Sequence, residues 1–418
     1  MLDGGGLIGN CCEYVGTSGL ARRNNKKTTK LSASITTKPK RLKPVKIAKS
    51  SPPDSAREPT TIRLGSDCTG LGTEAVALTM AGIMNVQYAF AADTDSTKQA
   101  LLKSTHAALG LPPVVKVFDD IIGRNHSNLP DIDCYVAGAP CPPWSSAGLR
   151  KGVGDERSDV LMETVKVIQK KTPPCFLLEN VAGLISKNHS DVFKQRVLKP
   201  LQLSGYTVWH RVLNTKHHGL PQNRPRLYIA GALDVKHKFR WPSAVPMHPL
   251  KKIIADKPSK RKTLADTTNQ TVIKNVKKAK RKAEKESGNW IHEWRLCDAF
   301  AGKAFTKVMT SCMPCVTKAR GIAGGFYWVN YLDRFTNIYE LGAVQGFPDW
   351  IIDEYLSAAS ESQVGAAIGD AMSVNILMRV LPRLLFTAGL IKRPGDLWKD
   401  VPETAIQGSM PQSLYNKV

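Results

Sequence analysis

Between Thr61 and Gly231 short apolar runs recur, most of them ending in small or acidic residues, with helix-period stretches between the earlier ones. That alternation restricts the chain to an α/β architecture, a largely parallel sheet covered by helices on its faces. The first run, Thr61 to Cys68, leads into Thr69-Gly70-Leu71-Gly72-Thr73 and a helix from Glu74 to Ala81. A second strand, Val86 to Ala92, ends at Asp93-Thr94-Asp95, and a third, Val114 to Phe118, at Asp119-Asp120-Ile121. The fourth, Cys134 to Ala137, opens into Gly138-Ala139-Pro140-Cys141-Pro142-Pro143-Trp144-Ser145. A helix from Asp159 to Gln169 follows, stopped by Pro173-Pro174, and the next strand, Cys175 to Leu178, delivers Glu179-Asn180-Val181. Strands at Tyr206–Leu213 and Leu227–Gly231 flank Gln222-Asn223-Arg224-Pro225-Arg226.

Ligands of open α/β sheets bind at the carboxyl ends of the strands, where these polar groups collect. Glycines at 70 and 72 let backbone approach a ligand in front of a helix N-terminus. Asp93, about 20 residues beyond, is placed for ribose hydroxyls. Nicotinamide dinucleotides and S-adenosylmethionine both fit such a turn, and an ordinary tight turn has the same residues. Asp120 suits an adenine amino group or the cap of the next helix. The prolines around Cys141 stiffen its loop, and a fixed thiol makes an effective nucleophile. Free cysteine is also a common small core residue. Glu179 ends an apolar strand, where a carboxylate is costly unless paired or functional. It is therefore a candidate general acid or a buried ion-pair member. Arg224 and Arg226, two apart, should point the same way, towards phosphate, a base edge or solvent.

The formal charge of +24 points to a polyanionic partner, nucleic acid first. Residues 1–60 read as a disordered basic tail, with no acidic residue from Tyr14 to Pro53. Its Pro39–Lys46 segment suits nuclear import or a phosphate-binding arm, and an organelle transit peptide has a similar composition. No apolar run is long enough to span a bilayer, so a soluble protein without a membrane partner is expected. The nine cysteines lack the spacing of a disulfide framework. Cys312-Met313-Pro314-Cys315 has metal-ligand spacing without a second pair nearby, so no metal is expected.

Taken in order, these residues resemble the cytosine-C5 methyltransferases from about Leu64 to Leu381. Asp67-Cys68-Thr69-Gly70-Leu71-Gly72 is similar to the family's cofactor turn, and Asp93 and Asp120 stand at its ribose and adenine positions. Pro140-Cys141-x-x-x-Ser145 matches the catalytic loop, Glu179-Asn180-Val181 the Glu-Asn-Val, and Gln222-x-Arg224-x-Arg226 the Gln-x-Arg-x-Arg. Arg334-Phe335-Thr336 with Glu340, Gln345-Gly346-Phe347-Pro348 and Gly369-Asp370-Ala371-Met372-Ser373 resemble the closing motifs. The resemblance implies a Rossmann-like methyltransferase sheet with a smaller target-recognition lobe, and S-adenosyl-L-methionine as cofactor. Cofactor contacts fall to Cys68, Thr69, Gly70, Leu71, Gly72, Asp93, Thr94, Asp120, Ile121, Asp370 and Ala371. Catalytic roles fall to Cys141 as nucleophile, Glu179 as general acid and Arg226 on the base's O2. Arg224 would hold the catalytic loop or a phosphate, Asn180 would position Pro140, and Ser145 belongs to the closing loop. The sequence departs from the family in having Cys68 for an aromatic residue, Asp93 for Glu and Asp370 for Asn, and the first puts cofactor affinity in question.

The implied domains are a catalytic unit over 61–231, a target-recognition region with a basic insertion over 232–314, a return to the catalytic unit over 315–390 and a tail over 391–418. In the recognition region Val276–Ala283 reads as a basic helix lying on phosphates or as a flexible insertion, and Trp290, Trp294 and Phe300 as small-lobe core, or one of them as a wedge into nucleic acid. One final helix, about Gln363 to Phe386, should pack beside the first strand. The expected partner is DNA, acted on by a nuclear monomer. Transfer RNA is the alternative substrate, although the Cys-Phe-Thr string of that branch is absent, Ala304-Phe305-Thr306 being nearest. A catalytically silent nucleic-acid-binding relative is the other alternative.

Overall fold

A computed structural model describes residues 61–140, 157–254, 263–287, 294–301, 308–322 and 327–395. Cys141, Ser145, Trp290, the basic N-terminal segment and the tail beyond 395 lie outside the described residues.

The central sheet has seven strands in the order β3-β2-β1-β4-β5-β8-β6. They are β1 (Ile62–Asp67), β2 (Val86–Ala92), β3 (Val117–Phe118), β4 (Cys134–Gly138), β5 (Cys175–Val181), β6 (Thr207–Asn214) and β8 (Pro225–Ala232), with β7 (Gln222–Asn223) outside the sheet. Strands β1 to β5 pair in parallel, and β8 runs antiparallel to both β5 and β6. Near-continuous apolar runs are what strands buried on both faces require, and alternate residues feed two separate cores. Leu64, Val136, Leu177 and Tyr228 join the first, whereas Phe90, Tyr135, Phe176 and Ile229 join the second.

Helices α1 (Thr73–Met80) and α2 (Ser96–Ala108) cover the first face with the C-terminal helices, and α3 (Arg157–Lys171) covers the second. On that second face α4 (Ser190–Val192) and α5 (Lys199–Leu203) flank a π-helical stretch, Phe193–Leu198. The third strand is shorter than its apolar run, because only Val117 and Phe118 hold the ladder with Ala91 and Ala92.

Beyond β8, and after the short α6 (Leu250–Ile253), a second sheet forms in the order β10-β9-β12-β13. Its strands are β9 (Arg295–Cys297), β10 (Val308–Thr310), β12 (Trp328–Val329) and β13 (Arg334–Phe335), all antiparallel. The second sheet thus draws strands from both sides of residue 314, and the boundary expected there cuts through it. One face is covered by α7 (Gln270–Ser287), a helix that contains the Val276–Ala283 stretch left open between helix and insertion. Phe300 packs with that cluster, while Trp294 stacks on Tyr331 and lies against the main core. Strand β11 (Met313–Pro314) pairs with β7 in a separate two-stranded ladder, next to the segment that leads into β8.

The C-terminal stretch is α8 (Lys318–Ile322), α9 (Ile338–Gln345), α10 (Asp349–Ala358), α11 (Glu361–Asp370) and α12 (Val374–Thr387). One continuous helix was expected over the last two, but the axis bends by 45° between them. The helix end is opened by side chains that take its carbonyls: Arg224 bonds Gly369 and Ala371, and Gln345 bonds Ile368 and Ala371. Helix α12 packs on α1, β5 and β8, rather than beside β1 as expected.

Candidate active site

The glycine turn is built from β1 outward. Thr69 bonds the Ala92 carbonyl through its N–H at 3.0 Å and through its hydroxyl at 3.2 Å, tying the turn to β2. Cys68 takes φ 52° and Gly70 φ 57°, so the chain leaves the strand in left-handed backbone. Asp93 accepts the Gly70 N–H at 3.0 Å and the Asp95 N–H at 3.0 Å, so its carboxylate braces the turn from the neighbouring strand end. Gly72 precedes α1 at φ 68°, and Leu71 is fully inside the core. Among the described residues, apart from its chain neighbours, no atom lies within 4 Å of where a Cβ of Gly70 would stand, which leaves open space over the turn. Thr94 and Asp120 are exposed beside it, Ile121 is buried, and Asp120 accepts the Ile122 N–H at 2.9 Å.

Beneath this turn lies a pairing that the sequence reading missed. Asp67 is completely buried and receives both Arg124 nitrogens, at 2.9 and 2.7 Å, and the Tyr135 hydroxyl at 2.7 Å. The same guanidinium sits over the rings of Phe90 and Phe118, at 5.3 and 4.8 Å from their centroids. A bidentate pair with its charge also shared by aromatic faces compensates a carboxylate removed from water. Arg124 thereby joins the loop that carries Asp120 to the end of β1. An acidic residue at the end of an apolar strand was the signal for it in the sequence.

The second half of the site lies where β4 and β5 end and the antiparallel β8 begins. Gly138 is in register with Glu179, so the carboxylate-bearing position stands beside the strand that leads to Pro140 and Cys141. Across β8, Val181 faces Arg226 and Glu179 faces Tyr228. The diagonal relation brings Arg226 Nε to 3.2 Å from Glu179 Oε1. Burial raises the Glu179 carboxyl above its ordinary value of 4.5, and the positive charges of Arg226 and Arg224 offset only part of that. Asn180 donates Nδ2 to the Ala139 carbonyl at 3.2 Å and accepts the Val181 N–H at 2.9 Å. It thus fixes the residue before Pro140, which is itself exposed.

The two guanidinia converge on one sulfur, Cys315 Sγ, but their other contacts differ. Arg224 falls between β7 and β8, where strand alternation does not apply, and it is buried. Its guanidinium donates to the carbonyls of Val316, Gly369 and Ala371 at 2.7, 3.3 and 2.7 Å. The expectation of a phosphate contact is therefore corrected: Arg224 ties the C-terminal segments to β8. Cys315, whose spacing to Cys312 is its only signal in the sequence, lies against both guanidinia, with Sγ 3.5 Å from each. Burial alone would raise this thiol, but the charges of Arg226 and Arg224 outweigh it and lower the pKa below the ordinary 9.0. Asp370 points elsewhere, forming an ion pair with Lys98 of α2 at 2.8 Å, while the Ala371 carbonyl is held by Arg224 and Gln345. The sequence-matched residues thus form two clusters at one end of the sheet, a glycine turn with acids and a Glu–Arg pair beside the proline-rich loop.

The family model of C-5 cytosine-specific DNA methylases matches residues 63–385. The chain belongs to that family. Among curated relatives, Type II methyltransferase M.NgoBI of Neisseria gonorrhoeae is 33% identical over 280 residues, 65% of this chain and 81% of its own length. Type II methyltransferase M.HaeII of Haemophilus aegyptius is 42% identical over 130 residues, 31% of this chain and 40% of its own length. Among solved structures, the Entamoeba histolytica methyltransferase EhMeth superposes with a TM-score of 0.55 at 14% identity, covering 78% of this chain and 98% of that one. A mutant of Spodoptera frugiperda DNMT2 gives 0.50 at 15% identity, covering 78% and 99%. These structures share the fold.

The family's cofactor is S-adenosylmethionine. The open space over Gly70 and the carboxylates of Asp93 and Asp120 beside it fit a nucleoside lying across the strand ends. At Cys68 burial drives the thiol pKa far up, so this position offers a small neutral group.

Proposed function

We propose that this chain transfers a methyl group to C5 of cytosine in DNA, with Cys141 as the attacking nucleophile. The observation that carries the reading is the buried Glu179 carboxyl, paired to Arg226 at 3.2 Å and in register with Gly138, three residues before Cys141. Cytosine C5 becomes nucleophilic only after addition at C6. The Cys141 thiolate forms the S–C6 bond while the protonated Glu179 carboxyl hydrogen-bonds N3, and burial supports that protonation state. Arg226 meets the charge developing at O2. The Gly70–Gly72 turn with Asp93 and Asp120 would hold S-adenosylmethionine, which when bound would supply the methyl group to C5 and leave as the neutral thioether S-adenosylhomocysteine. Once C5 is methylated, water takes its proton, the C5–H electrons re-form the C5–C6 double bond, and the S–C6 bond breaks to restore the thiolate. A base inside a duplex is out of reach of these groups, so the target is flipped out of the stack. Asn180 acts as a positioning residue through Ala139, and Arg224 through the carbonyls it gathers.

Bisulfite sequencing of duplex DNA treated with wild type and with Cys141→Ala tests this reading. New methylcytosine with wild type alone is the expected result, with a covalent adduct on 5-fluorocytosine DNA. Methyl transfer to transfer RNA but not to duplex DNA would move the substrate to the alternative branch, and turnover by Cys141→Ala would remove the nucleophile.

A further inference from the structure

Helix α7 presents a row of positive charge whose position the small lobe fixes. Lys274, Lys277, Lys278, Arg281, Lys282 and Lys285 are all exposed, and they recur at alternating intervals of three and one. That spacing places them on one stripe of an α-helix. Between Gln270 and Lys285 the only acidic residue is Glu284. From Lys274 to Lys285 the stripe is about 16 Å long at the ordinary helical rise.

The opposite face shows that this is not a loosely attached charge run. Val272, Val276 and Ala279 are buried with Cys297, Trp328 and Phe335 of the second sheet and with Ala299 just after β9. Asn269 caps the first turn, accepting the N–H groups of Thr271 and Val272 at 3.0 and 3.2 Å. Asn275 donates to the carbonyls of Ala299 and Ala301 at 2.8 and 2.9 Å, and the Lys280 ammonium sits 5.1 Å over the Trp328 ring. Like charges crowded on one stripe repel one another, which disfavours the isolated helix. The packing holds that unfavourable row in place, and an opposing row of negative charge relieves it.

We propose that the exposed stripe of α7 is a docking surface for the phosphate backbone of duplex DNA, contacting it without reading bases. The inference rests on the DNA reading above and names the element that supplies its sequence-independent affinity. A straight rigid row suits the regular phosphate spacing of a duplex strand, and each phosphate neutralised adds to the salt dependence of binding.

The test compares wild type with a variant carrying Lys274→Gln, Lys277→Gln, Lys278→Gln and Arg281→Gln. A control loses the same charge on the α3 side of the sheet, through Lys170→Gln, Lys194→Gln, Arg196→Gln and Lys199→Gln. Affinity for a fluorescent 30-base-pair duplex is measured between about 0.05 and 0.2 M salt, the range over which phosphate binding reveals itself. The helix variant should lower the slope of log Kd against log salt by roughly 0.9 for each phosphate no longer neutralised. It should raise the KM for DNA at least tenfold and leave kcat at saturating duplex unchanged, while the control keeps the wild-type slope. An unchanged slope in the helix variant, or an equal reduction in the control, overturns the proposal. So does a slope that falls on transfer RNA alone. Wild type that neither binds duplex nor forms the fluorocytosine adduct would instead defeat the functional reading.

Discussion

Arg226 reaches diagonally across the β5–β8 pair to place Nε 3.2 Å from Oε1 of Glu179. The guanidinium stands close enough to answer charge on a bound base, yet it does not cancel the burial that raises the Glu179 carboxyl. Glu179→Gln retains the shape and a hydrogen-bond donor but cannot transfer a proton. Single-turnover methyl transfer should therefore fall about 10²- to 10⁴-fold, the range for loss of a general acid, with little change in affinity for DNA. An unaltered rate would remove Glu179 from the chemistry.

The same carboxyl affects stability in a pH-dependent way. Its folded pKa lies above the unfolded one, so the native state binds more protons in the window between them, and stability falls as pH rises through it. Glu179→Gln should thus melt with wild type below pH 4.5, the carboxyl's ordinary value. It should become the more stable protein as pH rises towards neutrality, and thermal melts across that range read the crossover. A constant difference at every pH would contradict the assignment.

Asp67 and Arg124 form a pair whose members cannot be removed singly. The side chains are 0% and 7% exposed, and Tyr135 completes the arrangement. Arg124→Met leaves a buried uncompensated carboxylate and should cost about 3–5 kcal/mol in urea unfolding. Asp67→Leu with Arg124→Met should recover most of that stability, because an apolar pair of similar volume is often neutral. Additive single-substitution effects would show that the two residues are not coupled.

Gly72 is constrained twice. Its φ of 68° suits glycine, and an added Cβ would lie 2.6 Å from Leu102 Cδ1 of α2. Gly72→Ala should therefore destabilise the fold by about 2–4 kcal/mol, combining left-handed strain with overpacking. Chemical denaturation measures it, and a change under about 0.5 kcal/mol, the ordinary range for surface substitutions, would mean that the turn relaxes freely.

The sequence alone determined the parallel part of the sheet, because strands buried on both faces must be apolar throughout and must release their polar residues at one end. That rule is enough to place Gly70, Asp93, Asp120, Pro140 and Glu179 at one edge. Only the tertiary structure decided where long side chains point. Arg224 and Arg226 look alike two residues apart, yet β7 ends before Arg224 and β8 begins between the two, so one binds three carbonyls and the other meets Glu179. The bend between α11 and α12 was likewise hidden, since the side chains that open it come from Arg224 and Gln345, far away in the chain. The Asp67–Arg124 pair joins residues 57 apart. Local periodicity reports which face a residue is on, but a partner brought in by folding decides what its charge does there.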